Sequence, residues 1–254
     1  MEQDYAVSFE QGHLLMQADG RQWVLDTGSP ASIGHGSVRV GGRSFPLVSD
    51  LMGLDAARLS SWVGVEVDGL IGTDVLNQFD VVIDVPAGLV RVGEGIKWAG
   101  GVSLPVAWTM GIPVVRCRVE TRDYPLVLDT GAQLSYLHDG PFPGRREPEE
   151  LAEDFYPGIG RFRAPVCRLK VVIGSEASFL RFGTLPAQLD SLLGTTGAVG
   201  ILGCELLRDR ALGYYPFRSV HVTTGAQQKP AADGTKLDGR EPGHWQRPEQ
   251  TQED

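Results

Sequence analysis

The stretch HLLMQADGRQWVLDTGSPASI, residues 13–33, reads as two short apolar strands around a turn at Asp19 and Gly20, the second strand running straight into Asp26-Thr27-Gly28. Further along, VVRCRVETRDYPLVLDTGAQLSYL, residues 114–137, repeats the pattern: a turn at Arg122 and Asp123, then an apolar strand entering Asp129-Thr130-Gly131. The correspondence extends outward. Residues 38–48 and 167–182 both read as hairpins with Gly-containing turns. Residues 54–72 end in DGLIG and residues 185–203, a stretch of equal length, end in VGILG. Each then passes into a short helix, TDVLNQF or CELLRD, and a closing strand, DVVIDV or ALGYYPF. One unit has been written twice, which predicts two lobes related by a pseudo-twofold axis.

On this reading the first lobe spans residues 1–97 and the second 98–224, joined through the glycine-rich EGIKWAGG at 94–101. Residues 225–254 are dominated by Gln, Pro, Gly and charge, with almost no apolar side chain to anchor them, so this tail is expected to be disordered. The 33 glycines and 16 prolines follow no Gly-X-Y period and serve as turn punctuation between short strands, so the expected fold is all-β.

Composition narrows the function. A net charge of −9 argues against nucleic acid, because phosphate binding needs a clustered excess of Lys and Arg. No apolar run approaches the roughly 18–20 residues needed to span a bilayer, and no basic-then-apolar leader opens the chain; the expectation is a cytoplasmic protein without membrane contact. Cys117, Cys167 and Cys204 are odd in number and lack C-x-x-C spacing, so they read as free buried thiols. The histidines are scattered, and no zinc or nucleotide motif is complete. No cofactor or metal is expected, and the partner is expected to be a peptide or protein.

A lone Asp-Thr-Gly is an ordinary turn: Asp caps it and Gly bends it. Two copies, each after an apolar strand and each followed by an apolar-apolar-Gly segment, carry more weight. Asp26-Thr27-Gly28-Ser29 goes with Leu70-Ile71-Gly72, and Asp129-Thr130-Gly131-Ala132 with Ile201-Leu202-Gly203. In these elements the chain resembles the pepsin and retropepsin superfamily of aspartic peptidases, as a duplicated, single-chain, retropepsin-like member of bacterial type. The resemblance implies a two-lobed acid-protease fold with Asp26 and Asp129 as catalytic dyad. It also implies that Thr27 and Thr130 hydrogen-bond across to the opposite loop, while Gly28 and Gly131 let the backbones approach.

The chemistry can be stated independently. Amide hydrolysis by carboxylates alone needs one carboxylate to take a proton from water while a second, protonated, hydrogen-bonds the carbonyl. Two aspartates about 3 Å apart cannot both ionise cheaply and so share one proton. Both belong to one chain, so dimerisation is not required.

The halves differ between loop and hairpin: ten residues separate Gly28 from Val38, thirty-five separate Gly131 from Val166. Within this insertion EDFYPGIGRFRAP, residues 153–165, reads as two aromatic-bearing strands around a Pro-Gly turn. In the superfamily such a hairpin is the flap over the cleft, with Tyr156 as the flap aromatic and Phe155 and Phe162 packing its other face or lining the cleft. A single flap on the second lobe departs from pepsin and retropepsin alike. Asp80 and Asp84 alternate with apolar residues and are expected to face solvent. Asp74 and Glu205 are expected in first helical turns, favoured by the helix dipole. Two functions remain open: an aspartic-type endopeptidase, or a catalytically inactive module binding a peptide or ligand in the same cleft.

Overall fold

The computed structural model describes residues 2–98, 100–138, 148–186, 189 and 193–223. The tail expected to be disordered, 225–254, lies outside them. The first half forms β1 (Gln3–Glu10), β2 (His13–Ala18), β3 (Arg21–Leu25), β4 (Ile33–Gly34), β5 (Ser37–Val40), β6 (Arg43–Pro46), α1 (Ala56–Val63), β7 (Gly69–Ile71), α2 (Thr73–Leu76), β8 (Asp80–Asp84) and β9 (Leu89–Gly93). The second forms β10 (Val102–Leu104), β11 (Val106–Thr109), β12 (Ile112–Val119), β13 (Arg122–Asp129), β14 (Ser135–Leu137), β15 (Glu150–Tyr156), β16 (Gly160–Ile173), β17 (Glu176–Thr184) and β18 (Gly200–Gly203). A 3₁₀ turn (Cys204–Leu207), β19 (Ala211–Tyr215) and β20 (Ser219–Val222) complete it.

The repeat read from the sequence is a repeat of topology. In the first half β3 runs parallel to β7, while β4 returns antiparallel on β7's other edge. In the second, β13 runs parallel to β18 and β14 returns antiparallel to it. The hairpins expected at 38–48 and 167–182 are β5–β6 and β16–β17. One element was divided too finely: the return strand of the aromatic hairpin and the first strand of the 167–182 hairpin are one fourteen-residue strand, β16. The helix α1 is set by its ends. Asp55 caps the N-terminus through the Arg58 N–H at 2.8 Å, and Gly64, at φ 77°, ends it in the left-handed conformation. Among the described residues no helix is long and apolar enough to cross a membrane. All three cysteines are buried and stand outside any disulfide.

The closing strands do not stay within their halves. β8 pairs antiparallel with β19, Ala211 opposite Asp84 and Tyr214 opposite Val81, so one ten-stranded sheet ordered β10-β20-β19-β8-β9-β1-β2-β3-β7-β4 runs through both. An eight-stranded sheet of second-half strands packs beside it, and the main core joins Trp23, Leu25 and Ile71 with Leu128, Phe182 and Leu202.

This pairing corrects the reading of Asp80. It is buried, takes the Ile96 N–H at 3.1 Å and binds the Arg218 guanidinium. Alternation places a side chain in solvent only where one sheet face is wet. Here the face bearing Asp80 and Val82 is covered by Ile96, Trp98 and Tyr215. Asp80→Ala would leave a buried N–H without an acceptor and Arg218 without its partner. A loss of about 2–3 kcal/mol is expected, measured as a lower denaturant midpoint at unchanged slope.

Candidate active site

Strand pairing delivers both aspartates to the same place. Asp26 follows the last residue of β3, and its N–H donates to the Ile71 carbonyl at 3.0 Å; Asp129 ends β13, opposite Gly203. The apolar-apolar-Gly segments are the strands around which the Asp-Thr-Gly loops wrap. A Cβ on Gly72 would lie 2.8 Å from the Ser29 and Ala31 carbonyl oxygens, and one on Gly203 would lie 2.3 Å from that of Leu134. These two glycines thus serve loop passage.

The loop glycines serve the dyad. A Cβ on Gly28 would sit 2.3 Å from the Asp129 Cγ, and one on Gly131 would sit 2.4 Å from the Asp26 Cγ. Any larger residue would therefore expel the opposing carboxyl. Asp26 Oδ1 accepts the Gly28 and Ser29 N–H groups at 2.9 and 2.8 Å; Asp129 Oδ1 accepts those of Gly131 and Ala132 at 2.9 and 3.1 Å. Each carboxyl lies against the glycine of the opposing loop, so the two face each other across the join between the halves. Burial raises both above the ordinary carboxylate range. The charge of Asp129 raises Asp26 further, whereas donors from Ala132, Asp26 and Gly131 restrain the rise of Asp129.

The threonines do what the resemblance implies. Thr130 Oγ1 accepts the Thr27 N–H at 3.0 Å and donates to the Leu25 carbonyl at 2.8 Å. Reciprocally, Thr27 Oγ1 accepts the Thr130 N–H at 3.1 Å and donates to the Leu128 carbonyl at 2.6 Å. Both side chains are fully buried.

Two serines escaped the sequence reading. Ser32 Oγ accepts the Gly72 N–H at 2.9 Å and Ser135 Oγ accepts that of Gly203 at 3.1 Å, fixing each loop to its strand. Their signal was legible, since each stands six residues after its aspartate. Asp74 and Glu205 do fall in first helical turns. Asp74 also takes the Ser32 hydroxyl at 2.6 Å, while Glu205 pairs with Arg181 at 3.1 Å, so the matching positions carry different contacts.

Above the dyad lies a cavity of about 260 Å³. Val24, Leu54, Leu59 and Leu70 line it from the first half, Ile112, Val127, Leu193 and Ile201 from the second. The hairpin of β15 and β16 crosses its mouth, with Phe155, Tyr156 and Pro157 all lining the cavity. Burial, then the charges of Asp129 and Asp26, push the Tyr156 hydroxyl up to about 12, keeping it a neutral donor beside the dyad. Phe162 turns away and packs on Tyr136, their ring centroids 6.3 Å apart. Among the described residues no three His, Cys, Asp or Glu side chains are placed to hold a metal ion.

Behind the second loop stands a residue that sequence reasoning left among scattered histidines. His13 is 1% exposed, and its Nδ1–H donates to the Gly131 carbonyl at 3.1 Å, bracing the turn that holds Asp129. Asp154, buried on β15, takes the Tyr136 hydroxyl and a longer bond from Gln133 at 3.4 Å.

No family model and no curated protein matches this sequence. Among solved structures, the crystal structure of an aspartic proteinase from Irpex lacteus matches with a TM-score of 0.50 and 11% identity, covering 92% of this chain and all of the other. The chain has the two-lobed, all-β fold of the aspartic proteinases.

The buried groups at the site set opposed pH dependences. Burial holds His13 at about 4 against its ordinary 6.5, so the unfolded chain binds a proton more readily than the native one between these values. Its contribution is intact above pH 6.5 and is lost as the pH falls toward 4, by on the order of 3 kcal/mol. Burial raises Asp154 from 3.8 to about 6, so its contribution is present below 3.8 and lost as the pH rises through 6. Urea unfolding from pH 7 to 4 should therefore show a shallower acid loss for His13→Asn, which keeps an N–H for Gly131, and a steeper one for Asp154→Asn.

Proposed function

We propose that this protein is an aspartic-type endopeptidase, a single-chain, retropepsin-like enzyme whose duplicated halves each supply one member of the dyad. The observation that carries the proposal is the face-to-face placement of the Asp26 and Asp129 carboxyls at the floor of an apolar cleft, each set against the glycine of the opposing loop and buttressed by two backbone N–H groups. One chain holds both groups, so no second copy is needed to assemble them.

In this reading the pair carries one proton. The ionised carboxylate removes a proton from a water molecule held between the two, and the oxygen attacks the peptide carbonyl. The protonated partner gives its proton to the carbonyl oxygen, forming a neutral gem-diol. Collapse of the diol breaks the C–N bond, the amine leaves with a proton from the carboxyl that received one from water, and the diol hydroxyl returns a proton to the pair. Thr27 and Thr130 fix the carboxyl separation on which the sharing depends. Tyr156 supplies a donor from above, and the apolar walls on both sides suit a peptide with apolar side chains flanking the cleaved bond.

Asp26→Asn and Asp129→Asn should each lower turnover of a peptide library by on the order of a thousandfold or more, with folding unchanged because Asn is nearly isosteric. Activity of the native chain should fall as rising pH removes the shared proton, and burial places that limb above the range of a free carboxylate. Absence of cleavage by the native chain from acidic to neutral pH, with peptide binding retained by both variants, would turn the assignment to a binding module.

A further inference from the structure

The hairpin over the cleft belongs to the second half by sequence and strand pairing, yet its side chains divide between the halves. Successive residues of β15 point to opposite faces. Tyr156 packs in the second-half cluster with Ile159 and Phe162, whereas Phe155 packs in the first-half cluster with Leu51 and Trp62. The Phe155 ring lies 5.2 Å from that of Trp62 on α1 and 5.7 Å from that of His13. Arg161, directly across the hairpin from Phe155, donates its guanidinium to the Ser61 carbonyl. Ser61 lies in the last turn of α1, where carbonyls lack intrahelical partners and the helix dipole favours a cation. At the tip, Gly158 approaches Met52 so closely that a Cβ would lie 2.9 Å from the Met52 Cε. A hairpin rooted in one half is thus fastened to the other along its far edge.

We propose that Trp62 and Arg161 form a latch that holds the hairpin down across the cleft, and that a peptide enters only after the latch opens. Both are positioning residues: they act on Phe155 and through it on Tyr156, and neither touches the dyad. The part concerning peptide entry rests on the peptidase reading; the latch itself does not. Opening requires separating Phe155 from Trp62 and His13, the tip from Met52, and Arg161 from the Ser61 carbonyl, a local event independent of global unfolding. In this proposal the latch is closed over the free and the occupied cleft alike, so that weakening it speeds both entry and exit of a ligand without changing its affinity.

Hydrogen–deuterium exchange of the amides of residues 155, 156 and 158–161 in the full chain tests the latch. In Trp62→Ala and in the surface variant Arg161→Gln these amides should exchange about tenfold faster, while β13 and β18 keep their native rates. Native rates in the hairpin of both variants would overturn the proposal. Stopped-flow binding of a statine-containing peptide reads the gating. Association and dissociation should both accelerate by about tenfold with the Kd held within about twofold. A faster dissociation with unchanged association would make Trp62 a ligand contact and overturn the gate. If the native chain does not bind that peptide, the peptidase reading fails, while the exchange rates still decide the latch.

Discussion

Two threonine hydroxyls hold the molecule's centre together. Each accepts an N–H from the opposite loop and donates to the strand beneath it, so four hydrogen bonds cross between the halves in a fully buried position. A backbone group left unpaired at such depth costs about 1–3 kcal/mol, which makes the arrangement close to all-or-none. Everything at the site follows from the spacing it sets. Gly28 and Gly131 are required because the opposing carboxyl occupies the space a Cβ would need. The carboxyls meet because the loops cannot separate, and burial of two acids so close together disfavours ionisation of both.

Symmetry at the floor contrasts with asymmetry above it. The dyad, the threonines, the two loop serines and the glycines of the wrapped strands all come in pairs, whereas among the described residues the cleft is covered by one hairpin from the second half. Strand alternation resolves the imbalance. Tyr156 faces the half from which the hairpin springs and Phe155 the half it reaches, so a single element contributes to both walls of the cavity. The first half provides helix α1, which offers Leu59 to the cleft and Trp62 to the hairpin.

The halves are also joined below the cleft through β8 and β19, whose pairing makes one sheet out of strands more than a hundred residues apart in sequence. The same pairing buries Asp80 and gives it Arg218 as partner. A shared sheet beneath and a fastened hairpin above tie the halves together on both sides of the cleft.

The sequence by itself determined the repeat, the all-β class and the two Asp-Thr-Gly loops, because each depends on local patterns: an apolar strand, a turn, a glycine at a fixed offset. It also located the aromatic hairpin and Tyr156, since turn chemistry and cross-strand aromatics are short-range signals. Ser32 and Ser135 were equally legible as a repeated offset from the aspartates. Tertiary structure alone decided the remainder. That β8 and β19 are neighbours, and hence that Asp80 is buried, depends on which sheet edges meet, and alternation within a strand carries no record of what covers it. That His13 braces the Gly131 carbonyl depends on strand β2 passing behind a loop 118 residues away. The partition of Phe155 and Tyr156 between the halves depends on where the hairpin lands, which is fixed by the distance across the cleft and by the carbonyls exposed at the end of α1.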